Sequence, residues 1–399
     1  MKIAMLTSTG ERCGIASYAR ALVSGLESLP EVEVVVEPIV EGKQTKSHYL
    51  EQAERLNAAD VDVVHIQHEH SFWGGILPGK SAYWELRYAI KKPVVLTAHT
   101  TYSLSELLKV ETEKRPLQKL VKRLLIKQER YRDSVETAPF VTAITLVHTA
   151  AARRQLIGRG ADPNFIHIIP TGIPAPLPAP LHGIEFREKH GLLKNRVLSI
   201  FGYIAPNKGY ELTLEILPTL PEDAVLVIAG GTRVEGEKGY ADELKGLIER
   251  KGLSKRVVIT GFLKEEEIPE AMAATDLALV PHLWATGSYS VALPITHGKP
   301  ILASDADCFR EIQARTDCLE LFPAGDANAY REKTLFLLAN PERRVALAEG
   351  TKRYAQRYSW DRVAEMTLKV YRETVGIYSK SHKPTFTGVP HKYFKVEKS

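Results

Sequence analysis

Short apolar runs alternate with longer stretches of helical spacing along almost the whole chain. Ile3–Leu6, Val61–Ile66, Pro93–Thr97 and Phe140–Ile144 make one series. Val197–Phe201, Val225–Ala229, Val257–Thr260, Leu277–Pro281 and Pro300–Ser304 make a second. Runs this short, without polar alternation, suit strands buried on both faces, and the intervening stretches, such as Ile15 to Leu29, space their apolar residues as one face of a helix. The alternation predicts parallel sheets covered by helices. Between the two series lies Pro170-Thr-Gly-Ile-Pro-Ala-Pro-Leu-Pro-Ala-Pro180, with five prolines in eleven residues, a composition that suits an extended hinge and no element interior. The expected architecture is α/β: two doubly wound, Rossmann-like domains, 1–173 and 195–358, joined by a Pro-rich linker at 174–194. Ligands would bind in a cleft between the carboxyl ends of their strands.

Composition adds little but excludes much. A chain of 399 residues, 44% hydrophobic and 25% charged, can bury two cores and has no low-complexity tract. The apolar run Met1-Lys-Ile-Ala-Met-Leu6 is too short for a signal peptide and reads as the first strand. No run of about 18 apolar residues spans a membrane. Cys13, Cys308 and Cys318 have unrelated spacings, giving neither a disulfide framework nor a zinc pattern. A cytoplasmic protein with free thiols is the expectation.

The most informative stretch is Leu198-Ser-Ile-Phe-Gly-Tyr-Ile-Ala-Pro-Asn-Lys-Gly209. A buried strand runs into a loop bracketed by Gly202 and Gly209, carrying Lys208 ahead of a helix from about Glu211. Backbone amides, the helix dipole and one ammonium together form a cradle for an anion. The plain alternative is a pair of turn glycines beside a solvated lysine. A second glycine loop, Gly10-Glu-Arg-Cys-Gly14, precedes the helix Ile15 to Leu29; the four-residue spacing of its glycines does not match the dinucleotide fingerprint and argues against a dehydrogenase. Arg12 in that loop either adds charge or is simply solvated. His99 ends the strand Val94–Ala98 and should face the cleft. His65-Ile-Gln-His-Glu-His70 follows a strand, where His68 and His70 share one face; metalloprotease ligands need helical spacing, so the reading is polar side chains at the acceptor mouth and no metal site.

These pieces, in this order, resemble the GT-B glycosyltransferases of the retaining family-4 (glycosyl transferases group 1) type from about residue 2 to residue 375. Gly10 to Tyr18 is similar to that family's first glycine loop, Asp62 to Gln67 to its second-strand ending, and Leu96-Thr-Ala-His-Thr100 to the strand ending in an active-site histidine. His148 to Leu156 and Ile166 to Ile173 resemble the close of the acceptor domain, Phe201 to Gly209 the phosphate loop and Val257 to Phe262 the nucleobase loop. Ser359-Trp-Asp-Arg-Val363 resembles the start of the last helix, about 359–378, which in that fold crosses back to the first domain. The resemblance implies a hexosyltransferase-type enzyme moving a sugar, with retention, from a nucleotide-diphosphate sugar to a hydroxyl of a glycan or lipid-linked acceptor, in polysaccharide, glycolipid or cell-envelope biosynthesis. It implies His99 near the reacting centre, Gly14, Gly202, Tyr203 and Lys208 around the donor phosphates, and Gly261 and Phe262 at the base.

Two departures follow from the same resemblance. The family's glutamate pair, eight positions apart, falls at Ala285 and Leu293 when the chain is aligned on His297-Gly-Lys-Pro300, and the early arginine of the phosphate loop falls at Tyr203. Thr286, Gly287, Ser288 and Tyr289 take the place of the first motif, after a strand and at a helix N-terminus. Hydroxyls, backbone amides and a close-approach glycine there would suit a pyrophosphate better than carboxylates do. An active enzyme with a divergent donor site is therefore favoured. A catalytically silent GT-B partner protein and a nucleotide-sugar epimerase of similar architecture stay open. No metal or other cofactor is expected, because Lys208 and helix N-termini would neutralise the diphosphate.

The net charge of +5 is uneven: residues 109–132 hold nine Lys and Arg against three Glu, interleaved with Leu117, Leu120, Val121, Leu124 and Leu125 at helical spacing. Such a face suits peripheral docking on an anionic membrane, or is an ordinary surface helix with its apolar stripe turned inward. Nucleic acid is not an expected partner, since no binding module accompanies the charge. Residues 379–399, rich in lysine, read as a loose tail or an arm packed through Tyr393 and Phe394.

Overall fold

The structure, a computed structural model, describes residues 1–10, 13–42, 44–74, 83–101, 124, 143–158, 161–176, 183–232, 238–285 and 289–380. The chain divides into two compact units, one from Met1–Gly172 plus the chain from Trp360, the other Ile173–Ser359.

Unit 1 contains β1 (Lys2–Thr7), α1 (Gly14–Glu27), β2 (Glu33–Pro38), α2 (Lys46–Ala58), β3 (Val63–His68), α3 (Tyr83–Ala89), β4 (Val94–Ala98), β5 (Ile144–Val147), α4 (Ala150–Ile157) and β6 (Ile166–Ile168). The strands form one parallel sheet in the order β2-β1-β3-β4-β5-β6. β3, β4 and β5 are buried along their whole length, which is why the sequence shows them as unbroken apolar runs. β2 is the edge strand. Its valines are flanked by glutamates, Val35 is 50% exposed, and Pro38 ends the ladder, so its sequence lacks the buried-strand signature. The run expected at Phe140–Ile144 begins outside the described residues, and the strand itself occupies Ile144–Val147.

The last helix, Trp360–Lys380, belongs to unit 1. Val363, Ala364, Leu368 and Tyr371 pack with Ile3, Met5, Tyr18, Leu22 and Leu26 in one cluster, joining that helix to β1 and α1. Trp360 closes the seam. A Cβ built on Gly172 would sit 2.3 Å from its indole, so only glycine lets the chain pass.

Unit 2 contains α5 (Ile184–Lys189), β7 (Arg196–Phe201), α6 (Tyr210–Ile216), β8 (Ala224–Ala229), α7 (Lys238–Arg250), β9 (Val257–Gly261), α8 (Ile268–Ala274), β10 (Leu277–Val280), α9 (Tyr289–Thr296), β11 (Ile301–Ser304), α10 (Asp307–Thr316), β12 (Glu320–Phe322), α11 (Ala327–Ala339) and α12 (Pro341–Arg357). Its parallel sheet runs β12-β11-β10-β7-β8-β9. The linker assignment at 174–194 is corrected in its second half. Phe186 of α5 is buried with Val197, Val225 and Met272, and Arg187 donates to the Ala274 carbonyl at 2.6 Å and to Asp276 at 3.0 Å. The prolines set the eye on a hinge and hid a short helix.

In both sheets the first strand sits where the strand order reverses, β1 between β2 and β3, and β7 between β8 and β10. Open α/β sheets bind ligands outside the carboxyl ends of such strands.

Gly172→Ala should destabilise unit 1 by about 1–3 kcal/mol, the cost of overpacking against a fixed ring. Gly376→Ala, at a helical position where a Cβ meets nothing, should instead stabilise it by roughly 0.5–1 kcal/mol. Urea unfolding followed by circular dichroism reads both; equal effects would contradict the packing at Gly172.

Candidate functional site

In unit 1 the strand ends gather a set of polar side chains. His99 follows β4, its amide donating to the His68 carbonyl at 3.2 Å, and its ring is half-buried. Nε2 lies 2.8 Å from Gln67 Oε1. Gln67 is fully buried in β3, with its amide nitrogen 3.1 Å from Met5 Sδ and 3.3 Å from His65 Nε2. His65 in turn contacts the Tyr371 hydroxyl through Nδ1 at 2.6 Å and Thr97 Oγ1 through Nε2 at 2.7 Å. Tyr18 of α1 meets His99 edge-on at 4.9 Å, and the ring of His148, just past β5, lies 5.4 Å from it. His148 Nδ1 donates to the Ile169 carbonyl at 2.9 Å.

Burial holds these rings neutral. His99 titrates well below the usual imidazole range, first through burial and then through His148 and His65 beside it. Burial alone brings His65 down to about 3 and lowers His148 as well. A neutral imidazole can orient a hydroxyl or polarise a bond, but it contributes no fixed positive charge.

His68 and His70 do not stand at a polar mouth. They are 1% and 5% exposed, meet edge-on at 5.0 Å, and His68 packs against Trp73 and Tyr83. The expected extended spacing breaks at Glu69, whose carboxylate accepts from the His70 amide at 3.0 Å and caps a single 3-10 turn, His70–Trp73. Among the described residues no group of three His, Cys, Asp or Glu could hold a metal ion. Gly14 opens α1 and is exposed, with nothing within 4 Å of where a Cβ would be. Arg12 lies outside the described residues, as does the basic stretch 109–132 apart from Leu124, and the tail from residue 381.

In unit 2 the loops after β7 and β10 meet at the strand-order reversal. Gly209 has φ 73°, and a Cβ there would lie 2.0 Å from the Pro281 carbonyl, so the β7 loop presses directly on the end of β10. Asn207 stitches the two: its carbonyl accepts from the Leu283 amide at 2.9 Å and its side chain donates to the Trp284 carbonyl at 3.3 Å. Lys208 ends the 3-10 turn Pro206–Lys208, and burial lowers its ammonium to about 8. His282, in the facing loop, is brought down to about 3 by burial and by the Lys208 charge. Three aromatic side chains stand out around this point: Tyr203 at 40% exposed, Phe262 at 61% and Trp284 at 59%. Tyr203 and Phe262 meet edge-on at 5.7 Å, and Gly261 turns the chain into Phe262 at the end of β9. Thr286, Gly287 and Ser288 lie outside the described residues; Tyr289 is the first residue of α9.

The family model for glycosyl transferases group 1 matches residues 184–354, and that for glycosyltransferase family 4 matches residues 24–175. The chain is a GT-B-fold member of the family-4, group 1 glycosyltransferases. It is 24% identical over 237 residues to an MMP alpha-(1->4)-mannosyltransferase of Mycolicibacterium hassiacum, covering 59% of this chain and 55% of that protein. It is 28% identical over 222 residues to a D-inositol 3-phosphate glycosyltransferase of Xylanimonas cellulosilytica, covering 54% and 52%. The chain thus spans about half the length of the curated relatives it matches. Among solved structures, Anabaena HepE in complex with UDP-glucose superposes with a TM-score of 0.69 at 16% identity over 94% of this chain and all of that one. A glycosyltransferase from Rickettsia africae gives 0.73 at 13% identity, covering 94% and 98%.

Ala285 and Leu293, the positions at which the sequence resemblance led us to expect a glutamate pair, have apolar surroundings. Ala285 packs beside the cluster holding Val291 and Phe309, and its carbonyl accepts from Cys308 Sγ at 3.7 Å; Leu293 packs against the cluster of Phe186 and Val227. Sequence reasoning did not single out Tyr18, Gln67, His148 or His282 as site residues. All but Tyr18 are polar residues at or just past a strand's carboxyl end, and that position was the available signal.

The buried histidines tie stability to pH. His65, His99, His148 and His282 all titrate lower in the folded chain than the unfolded value of about 6.5, so the unfolded chain binds the extra protons. Their contribution is complete above pH ~6.5 and is lost as pH falls, by up to roughly 1.4 kcal/mol per pH unit for each group. The thermal midpoint should therefore drop steeply between about pH 6.5 and 5. A flat profile there would show that these rings are protonated in the folded state.

Proposed function

We propose that this chain transfers a sugar from a nucleoside-diphosphate sugar to a hydroxyl acceptor, with retention of anomeric configuration. The observation that carries the reading is the Lys208 loop. A glycine-bracketed turn at the strand-order reversal of unit 2 supplies one partly buried ammonium, with exposed aromatic surface at Tyr203, Phe262 and Trp284 beside it. A diphosphate matches the first feature and a nucleobase face the second. Solved GT-B structures with UDP and UDP-glucose bound support a nucleotide sugar as the donor class.

In this reading the bond between the anomeric carbon and the diphosphate oxygen breaks while the acceptor oxygen bonds to the same face of the sugar. The acceptor's proton goes to the departing phosphate oxygen. Lys208 and backbone amides stabilise the charge that develops on that oxygen. His99, neutral, meets a hydroxyl of the sugar and is not needed as a base. A glycan or a lipid-linked saccharide is the proposed acceptor class.

One observation favours a second reading. Ala285 and Leu293 pack against apolar clusters, so neither position can hydrogen-bond a sugar or ribose hydroxyl through its side chain. In that reading the chain keeps the fold and has lost the chemistry. A panel of nucleotide sugars assayed for binding, hydrolysis and transfer separates the two: binding without turnover on every donor would leave only the silent protein.

Calorimetry should detect a nucleoside diphosphate in the presence of EDTA, because Lys208 takes the place of a divalent cation. Lys208→Ala should weaken that binding by about 1.5–3 kcal/mol, roughly ten- to a hundredfold. Since the Lys208 ammonium titrates at about 8, the wild-type affinity should fall as pH rises above that value, and the variant should lose this dependence. A requirement for Mg²⁺, or an unchanged affinity in the variant, would remove Lys208 from this role.

His99→Ala should lower transfer by roughly 10²-fold, the scale of a lost group at the reacting centre, with nucleotide binding unchanged. Removing the ring leaves the buried Gln67 oxygen without its partner, at a cost of about 1–3 kcal/mol of stability. Wild-type turnover in a folded variant would demote His99 to scaffold.

A further inference from the structure

We propose that Gln67 is a positioning residue whose carboxamide holds His99 as the Nε2-protonated neutral tautomer and so leaves Nδ1 as an acceptor for a hydroxyl of a bound saccharide. The ligand class rests on the glycosyl-transfer reading; the tautomer does not.

The argument is one of donors and acceptors. Gln67 lies in the middle of the sheet with no exposure, where a carboxamide must find partners at both ends. Met5 Sδ, at 3.1 Å, can only accept, so the amide nitrogen faces it and also points at His65 Nε2. The amide oxygen is thereby turned to His99, 2.8 Å from Nε2. An amide oxygen can only accept, so His99 Nε2 must donate, and a neutral ring then carries its lone pair on Nδ1. The same logic runs one step deeper. His65 Nε2, 3.3 Å from the Gln67 amide nitrogen, accepts from it, which leaves Nδ1 to donate to the Tyr371 hydroxyl at 2.6 Å. The hydrogen-bond chain from the last helix to His99 therefore has one polarity, set by residues that never reach the ligand.

Nδ1 of His99 makes no hydrogen bond among the described residues, and the ring is only half-buried. The titratable groups facing the ring are His65 and His68 from β3, His148 after β5 and Tyr18 from α1. None of these carries negative charge at neutral pH, Tyr18 being held protonated by burial, so none competes with Gln67 for the imidazole proton. A filler role for Gln67 would be served by either tautomer. Only the positioning role selects one.

The test is spectroscopic and uses the full chain labelled with ¹⁵N-histidine. Long-range ¹H–¹⁵N spectra at neutral pH, with His99 assigned by its loss in His99→Asn, should show the proton on Nε2 and an unprotonated Nδ1. Gln67→Glu places a carboxylate opposite Nε2–H and should raise the His99 titration well above that of the wild-type ring, which stays neutral through the ordinary imidazole range. A proton on Nδ1 in the wild-type spectrum, or a His99 titration unmoved in folded Gln67→Glu, would overturn the proposal. If Gln67→Glu does not fold, the wild-type spectrum decides alone. Neither readout requires a donor, so a chain inert towards every nucleotide sugar would strike the glycosyl-transfer reading and leave the tautomer assignment standing.

Discussion

A parallel strand covered by helices on both faces can offer chemistry only at its end. That constraint organises both units of this chain. β3, β4, β8 and β10 are buried throughout, so a polar group placed within them must be satisfied by another buried group. Unit 1 accepts this cost in β3, where His65 and Gln67 are fully buried and bonded to each other, to Thr97 and to Tyr371. Unit 2 buries only small hydroxyls in the middle of its sheet, such as Ser199 bonded to Thr275 at 2.9 Å, keeps β8 wholly apolar and places Lys208 and His282 in loops. The two units thus prepare their strand ends differently. One uses a buried relay of neutral groups, and the other places at its strand-order reversal a lysine whose hydration is partly removed.

The fold was legible because burial on both faces leaves a simple trace. Nine apolar runs were readable, and the structure places a strand at or beside each of them. The strands that were missed carry no such trace. β2 is an exposed edge bounded by glutamates, and β6 and β12 are three residues each, too short to show a pattern. The hinge at 174–194 misled for a related reason. Proline marks where a helix cannot run, but it does not show how soon one can begin, and α5 starts four residues after Pro180.

The site was legible in its outer parts. His99 stood out because it follows a short apolar run, and Lys208 because it lies in a glycine-bracketed loop between such a run and a helix. His68 and His70 stood out for the wrong reason. Three histidines in six residues suggest a polar surface, yet the ring of His68 is buried among Trp73 and Tyr83, and Glu69 turns the chain between His68 and His70. A titratable ring is amphipathic, and sequence does not say which half of it the fold will use. Gln67, although near a strand end, was passed over for the converse reason. The role proposed for it depends on Met5, sixty-two positions away, whose sulfur accepts from the amide nitrogen at 3.1 Å.

The Trp360 seam has a consequence for how the protein is made. Unit 2 is threaded into unit 1 as an insertion. Its first and last residues lie side by side, with the Ile173 amide on the Tyr358 carbonyl at 2.8 Å and Ile173 bridged to Ser359. On the ribosome, the first 172 residues emerge without the helix that covers α1 and without the tyrosine that pairs with His65. The inserted unit emerges complete before that helix does. Synthesis therefore runs opposite to sequence order in one respect: the domain that starts second can finish first, and the domain that starts first must wait for the chain to return.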